Sequence, residues 1–132
     1  MWRYPGEDPR RLPPAVLAYV GDAVYELYVR VYLIKKGLTR VKKLHEEASG
    51  LVRAARQADF LHKLESQLSE EEKDVARRGR NSKTGHHPKS SGMVEYRLST
   101  GFEALLGYLF LMRREERIGE LLGHLFDKIE AE

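Results

Sequence analysis

The chain contains no cysteine, so a disulfide framework, a thiolate zinc site and a cysteine nucleophile are all excluded. That absence fits a reducing compartment, and the expected location is the cytoplasm. The N-terminus, MWRYPGEDPRRLPP, has no apolar core of the kind a secretory signal needs. The longest apolar stretch, Ala15 to Ile34, is long enough to span a bilayer but carries Asp22, Glu26 and Arg30, which argues against a membrane helix. There is no His-Glu-x-x-His pattern, no Ser-His-acid arrangement, no internal repeat and no low-complexity tract. No small-molecule cofactor is expected. What remains is 132 residues with 42% hydrophobic content, the length and composition of one domain, 1–132, with one core.

The net charge of +3 conceals an uneven distribution. Between Val75 and Val94 stand Arg77, Arg78, Arg80, Lys83 and Lys89, with no acid, giving that segment +5. The other residues hold 18 bases against 20 acids. Local positive charge of this kind points to a polyanionic partner, not to a fold. Asn81, Ser82, Thr84, Ser90 and Ser91 add hydrogen-bonding groups suited to phosphates. The segment from about 77 to 92 therefore reads as a basic loop. A solvated surface loop is the plainer alternative.

The periodicity predicts helices throughout. Pro13 and Pro14 introduce a helix from Ala15 to Lys36, ended by Gly37. Thr39 is placed to cap a second helix, in which Val41, Leu44, Ala48, Leu51 and Ala55 recur at three- and four-residue spacing to about Ala58. Phe60, Leu61, Leu64 and Leu68 continue the pattern after a bend. Ser69 followed by Glu72 is a capping box for a helix ending near Gly79. Further helices are expected from about Tyr96 to Arg113 and from Glu115 to the end. No segment reads as a strand, so the fold class is all-α.

Asp22 and Glu103 stand out because each lies in an apolar helix expected to be largely buried. An unpaired buried carboxylate is costly, so each should be ion-paired, protonated or metal-bound. One reading pairs Asp22 with Arg30 or a lysine and Glu103 with a distant arginine. The other brings both acids to one hard divalent cation. Gly21 precedes Asp22, while Gly101 and Gly107 flank Glu103. Glycine inside a helix is unfavourable by roughly 1 kcal/mol relative to alanine, so these positions predict close backbone approach by another element. Tyr19, Tyr25, Tyr28 and Tyr32 read as packing residues, some of them at a subunit interface.

Three segments then become recognisable together. Leu17-Ala-Tyr-Val-Gly-Asp-Ala-Val-Tyr-Glu26 resembles the signature of the ribonuclease III family. Ser99-Thr-Gly-Phe-Glu-Ala-Leu-Leu-Gly107 resembles that family's second acidic motif. With Arg77-Arg-Gly-Arg-Asn81 between them, the whole chain is similar to the bacterial Mini-ribonuclease III group. The resemblance implies a homodimeric, all-α catalytic domain without the double-stranded-RNA-binding domain of larger relatives. It implies Mg²⁺-dependent endonucleolytic cleavage of double-stranded RNA, with Mn²⁺ as a substitute, leaving 5′-phosphate and 3′-hydroxyl ends. The implied substrate is a 23S ribosomal RNA precursor. A non-catalytic RNA-binding or ribosome-assembly module with the same fold is the alternative.

Under that resemblance Asp22 and Glu103 are the catalytic metal ligands. Larger relatives carry carboxylates where Ala18 and Thr100 stand here, which leaves a thinner shell. Glu26 and Thr100 are the candidates for weak or water-mediated contributions. Arg77, Arg78, Arg80, Asn81, Lys83 and Lys89 are the candidate RNA contacts, and Tyr19 the candidate dimer-interface residue.

Overall fold

The computed structural model describes residues 2–82 and 92–132. Six α-helices and two short 3-10 turns account for all its regular structure among those residues. Helix α1 spans Pro14–Lys35, with Pro14 at the first helical position where no backbone N–H is wasted. Its last turn gives way at Gly37, whose φ of 97° is a left-handed conformation that side-chain-bearing residues avoid.

The expected continuous helix to Ala58 is in fact two helices. Helix α2 spans Val41–Val52 and α3 spans Ala54–Leu64, separated by Arg53 in an extended conformation. The break has an identifiable cause. The Tyr25 hydroxyl of α1 donates to Leu51 O at 2.6 Å, and Gln57 Nε2 of α3 donates to Val52 O at 2.7 Å. Side chains from elsewhere thus satisfy carbonyls that a continuing helix would have used. Thr39 does not cap α2: the capping position is Arg40, and no side chain bonds there.

Helix α4, Glu70–Arg80, starts with the expected capping box. Ser69 Oγ accepts from Glu72 N at 3.1 Å, and the Glu72 carboxylate accepts from Ser69 N at 2.8 Å. Its first turn holds Glu70, Glu71 and Glu72 and its last turn Arg77, Arg78 and Arg80, both favourable to the helix dipole. The three arginines are therefore helical, not part of a loop. Helix α5, Met93–Leu111, begins three residues before the expected Tyr96 because Gly92 caps it, with Glu95 reaching back to the Gly92 N–H. Helix α6 spans Glu115–Glu130.

Helix α5 is the centre of the molecule. It packs most extensively on α1, then on α4 and α3, and Phe102, Ala104, Leu105, Leu106, Tyr108 and Leu109 are fully buried. Arg117 of α6 clamps the start of α4. Its guanidinium makes two bonds of 2.9 Å to the buried Glu72 carboxylate and one of 2.7 Å to Gln67 O. This bidentate pair holds the Glu72 carboxyl below its usual range, against the opposing effect of burial.

Candidate active site

Two glycine crossings position the site on α5. A Cβ on Gly21 would lie 1.6 Å from Glu103 O, and one on Gly107 would lie 1.9 Å from Leu17 O. No side chain fits at either point, so α1 and α5 touch backbone to backbone. That contact sets Asp22, the residue after Gly21, beside Glu103. A second crossing joins α4 to the opposite side of α5, where a Cβ on Gly101 would lie 2.6 Å from Ala76 O. It brings the arginine-bearing end of α4 to within one turn of Glu103. The glycines that looked unfavourable in the sequence are those that let three helices converge.

Beneath the pair lies an aromatic cluster. Tyr25 meets Phe102 edge to face at 5.1 Å, and Phe60 packs against both rings at 6.4 and 6.2 Å. Tyr25, Phe60 and Phe102 have no exposed surface. Phe102 precedes Glu103 on α5, so the cluster adjoins the pair within the core.

The two carboxylates have different surroundings. Asp22 is exposed, contrary to the expectation of burial, because it stands at the outer edge of α1. Glu103 is half-buried. Burial first, and the neighbouring Asp22 charge second, push the Glu103 carboxyl up to about 8. The neighbouring Gln57 amide acts in the opposite direction, favouring the ionised form. Among the described residues neither acid has a salt-bridge partner, so the ion-pairing alternative for them is not what the fold adopts. Two adjoining acids, one starved of solvent and neither neutralised by a base, suit a divalent cation better than they suit each other.

The auxiliary candidates are placed differently. Glu26 pairs with Arg30 at 3.2 Å, as an ordinary partner one turn along α1. The Thr100 hydroxyl donates to Tyr96 O at 2.9 Å and is buried, so its proton is committed to its own helix. No group of three or more acidic or histidine side chains positioned for a metal exists among the described residues, which takes Glu26 out of the Asp22–Glu103 site. Arg77 is paired with Asp74. Arg78 Nη1 donates to Arg10 O at 3.4 Å, which ties the N-terminal turn to α4. Arg80 and Asn81 are exposed at the end of α4, facing out beside the site helix. Lys83 and Lys89 lie outside the described residues. Tyr19 is 81% exposed, and with Val16, Leu27, Val31 and Ile34 it forms an apolar stripe along α1.

Residues 15–114 match the family model described as "Ribonuclease III domain". A Mini-ribonuclease 3 of Symbiobacterium thermophilum is 50% identical over 123 residues, covering 93% of this chain and 95% of that protein. The chain belongs to the Mini-ribonuclease III group of the ribonuclease III family. A Mini-ribonuclease 3 of Brevibacillus brevis is 46% identical across 95% of this chain and 93% of its own length. The crystal structure of a Fusobacterium nucleatum protein superposes with a TM-score of 0.82 at 30% identity, covering 93% of this chain and 98% of that one. The all-α expectation and the family resemblance both hold. Among the described residues no helix is long and apolar enough to cross a membrane.

Sequence reasoning missed Gln57. It stands in phase with Phe60, Leu61 and Leu64 on the inward face of α3, so an amide in an apolar stripe was the signal that marked it.

Proposed function

We propose that this endoribonuclease is a Mg²⁺-dependent enzyme of the cytoplasm that cuts double-stranded RNA as a homodimer, leaving 5′-phosphate and 3′-hydroxyl ends, and that its substrate is a 23S ribosomal RNA precursor. The observation that carries the catalytic reading is the Asp22–Glu103 pair, held together by glycine contacts and left without a basic partner. Asp22 and Glu103 would hold the cation through carboxylate oxygens, and Mn²⁺ meets the same donor set. Mg²⁺ keeps several waters and needs only one or two carboxylates, so the thin shell left by Ala18 and Thr100 suffices. A bound cation of this kind supplies a nucleophilic water at neutral pH and offsets charge developing on the phosphate.

The protein's own residues do the rest. Glu103 must be ionised to serve, and the Gln57 amide favours that form. Asp22, exposed at the rim, presents negative charge to an approaching cation. Tyr25, Phe60 and Phe102 adjoin the pair within the core. Arg78, Arg80 and Asn81, with Lys83 and Lys89 in the sequence that follows, are the contacts we assign to the phosphates of an A-form duplex, and such duplexes are read by shape, phosphate and 2′-hydroxyl. The apolar stripe on α1 supports the dimer: Tyr19, Leu27, Val31 and Ile34 are each more than half exposed, an arrangement that marks an interface. Asp22 stands on the same helix, so a two-fold pairing across α1 gives one site for each strand.

The test is cleavage of a duplex RNA by purified protein with and without Mg²⁺. Asp22→Asn and Glu103→Gln should each abolish cutting while duplex binding persists. Full activity in either variant, or cutting that ignores a chelator, refutes the site.

A further inference from the structure

A groove of about 500 Å³ opens between the end of α3, the 3-10 turn Glu65–Gln67 and α4. That volume is in the range of sites that hold a small ligand. Leu61, Leu68 and Ala76, all buried, give it an apolar floor. Lys73, Arg77 and Arg80 of α4 line it at four- and three-residue spacing, so they stand in one row along the helix. The row is available to a ligand. Lys73 reaches Glu70 at 3.6 Å and Arg77 reaches Asp74, but both are exposed pairs within one helix, of the kind that contributes little. Arg80 has no ion-pair partner among the described residues.

The turn contributes different chemistry. Glu65 and Ser66 are exposed at the rim, with Glu65 3.4 Å from His62. A site for bare phosphate has no use for a carboxylate, and an acidic peptide would be repelled by it. A nucleotide uses every part: its phosphate meets the cationic row, the face of its base covers the leucines, and N–H groups on the base edge donate to Glu65. Within an A-form duplex the bases are stacked and paired, so only an unpaired nucleotide can lay its base in a groove. Arg80 joins the groove to the end of α4, where Asn81 follows it and duplex contacts are assigned above.

We propose that the α3–α4 groove binds an unpaired nucleotide flanking the RNA duplex, with phosphate on Lys73, Arg77 and Arg80 and the base on Leu61 and Leu68. This rests on the reading of the protein as a double-stranded-RNA enzyme. It gives that enzyme a preference for a duplex with a single-stranded flank over a blunt one.

The test uses the full-length protein in chelator, which separates binding from metal-dependent cutting. A blunt synthetic RNA duplex, the same duplex with a short unpaired tail, and the same duplex with an abasic tail of equal length are titrated at several salt concentrations. The base-bearing tail should strengthen binding about fivefold or more, with a salt slope steeper by roughly 0.7 for each tail phosphate neutralised. The abasic tail should keep the steeper slope and lose most of the gain. Lys73→Glu and Arg77→Glu should each bind tailed and blunt duplexes alike, Lys73→Arg should restore the difference, and melting curves should match wild type. Two reversal sites keep a folding defect in one variant from deciding the result. Equal binding of blunt and tailed duplexes by wild type overturns the groove's role and leaves duplex binding standing. Failure to bind any duplex overturns the enzyme reading first and the proposal with it. An equal gain from the abasic tail reduces the groove to a phosphate contact and overturns the nucleotide. A tail preference that survives in both folded reversal variants places the contact elsewhere and overturns the proposal. A tail without effect, together with an acidic peptide bound by wild type and not by Lys73→Glu, gives the groove to a protein partner instead.

Discussion

Replacing Glu103 with glutamine is expected to make the metal-free protein more stable, and only at neutral and alkaline pH. The folded protein keeps the Glu103 proton up to about pH 8, whereas the unfolded chain releases it near the ordinary value of 4.5. Between those values the folded state binds the extra proton, so stability falls as pH rises. The contribution is complete below 4.5 and gone above 8. Each pH unit in that window is worth about 1.4 kcal/mol, and the whole window on the order of 3 to 5 kcal/mol. That is a large share of the roughly 5 to 15 kcal/mol that holds a domain folded. Glutamine has nearly the same shape and no charge to desolvate, and its amide donates to Asp22 where the ionised glutamate repels it. In chelator at pH 9, Glu103→Gln should therefore melt roughly 10 °C or more above wild type. At pH 4 the two should nearly coincide. The assay is thermal and urea denaturation at pH 4, 7 and 9 at one fixed protein concentration, since the proposed dimerisation would also contribute. Saturating Mg²⁺ should then recover stability in the wild type and not in the variant. An offset that is the same at pH 4 and pH 9, or a variant less stable than wild type at pH 9, would refute the reasoning.

Other consequences are as direct. Arg117→Ala leaves the Glu72 carboxylate buried without its partner and should destabilise the protein by about 3 kcal/mol or more in urea denaturation. Glu72 is held below its ordinary range, so the stability it contributes is present at neutral pH and is lost as pH falls through its folded value. A wild-type protein that loses no more stability on acidification than Arg117→Ala contradicts that assignment. Gly21→Ala should separate α1 from α5, costing about 1–3 kcal/mol and most of the cleavage activity, because its Cβ would sit 1.6 Å from Glu103 O. Exchanging Arg78 and Arg80 for alanine should weaken duplex binding and lower its salt slope by roughly one per lost phosphate contact, read from binding titrations at several salt concentrations. Leu27→Asp on the exposed stripe of α1 should yield monomers in sedimentation, with folding intact.

What could be read from the sequence was local. The capping box at Ser69 and Glu72 lies within one turn, and the structure repeats it bond for bond. The glycines around Asp22 and Glu103 announced a close approach, and the approach is there. The break at Arg53 was invisible because its cause is distant: Tyr25 must come from another helix to take Leu51 O. The exposure of Asp22 was equally hidden. Along α1 the outward residues Val16, Tyr19, Leu27, Val31 and Ile34 are as apolar as the inward ones, so hydropathy alone could not say which face meets the core. Only the packing on α5 decides it.

That ambiguity explains how two acids in similar sequence settings come to differ. Both follow the same constraint, a glycine contact between α1 and α5, but they meet it from opposite sides. Glu103 is on the central helix, half-buried beside Asp22 and Gln57, and its ionisation is opposed first by burial. Asp22 is on α1, at the edge of an exposed apolar face. A pair of equally exposed acids would repel weakly through water and bind a cation weakly. A pair of equally buried acids would hold their protons and admit no ion. One of each gives an entry point and a carboxylate whose ionised state is unfavourable until positive charge arrives. If the pair holds the proposed cation, the arrangement that makes the metal-free site unstable at alkaline pH would make cation binding favourable there, and the stability lost on ionising Glu103 and the stability gained on binding metal would be two measurements of one interaction.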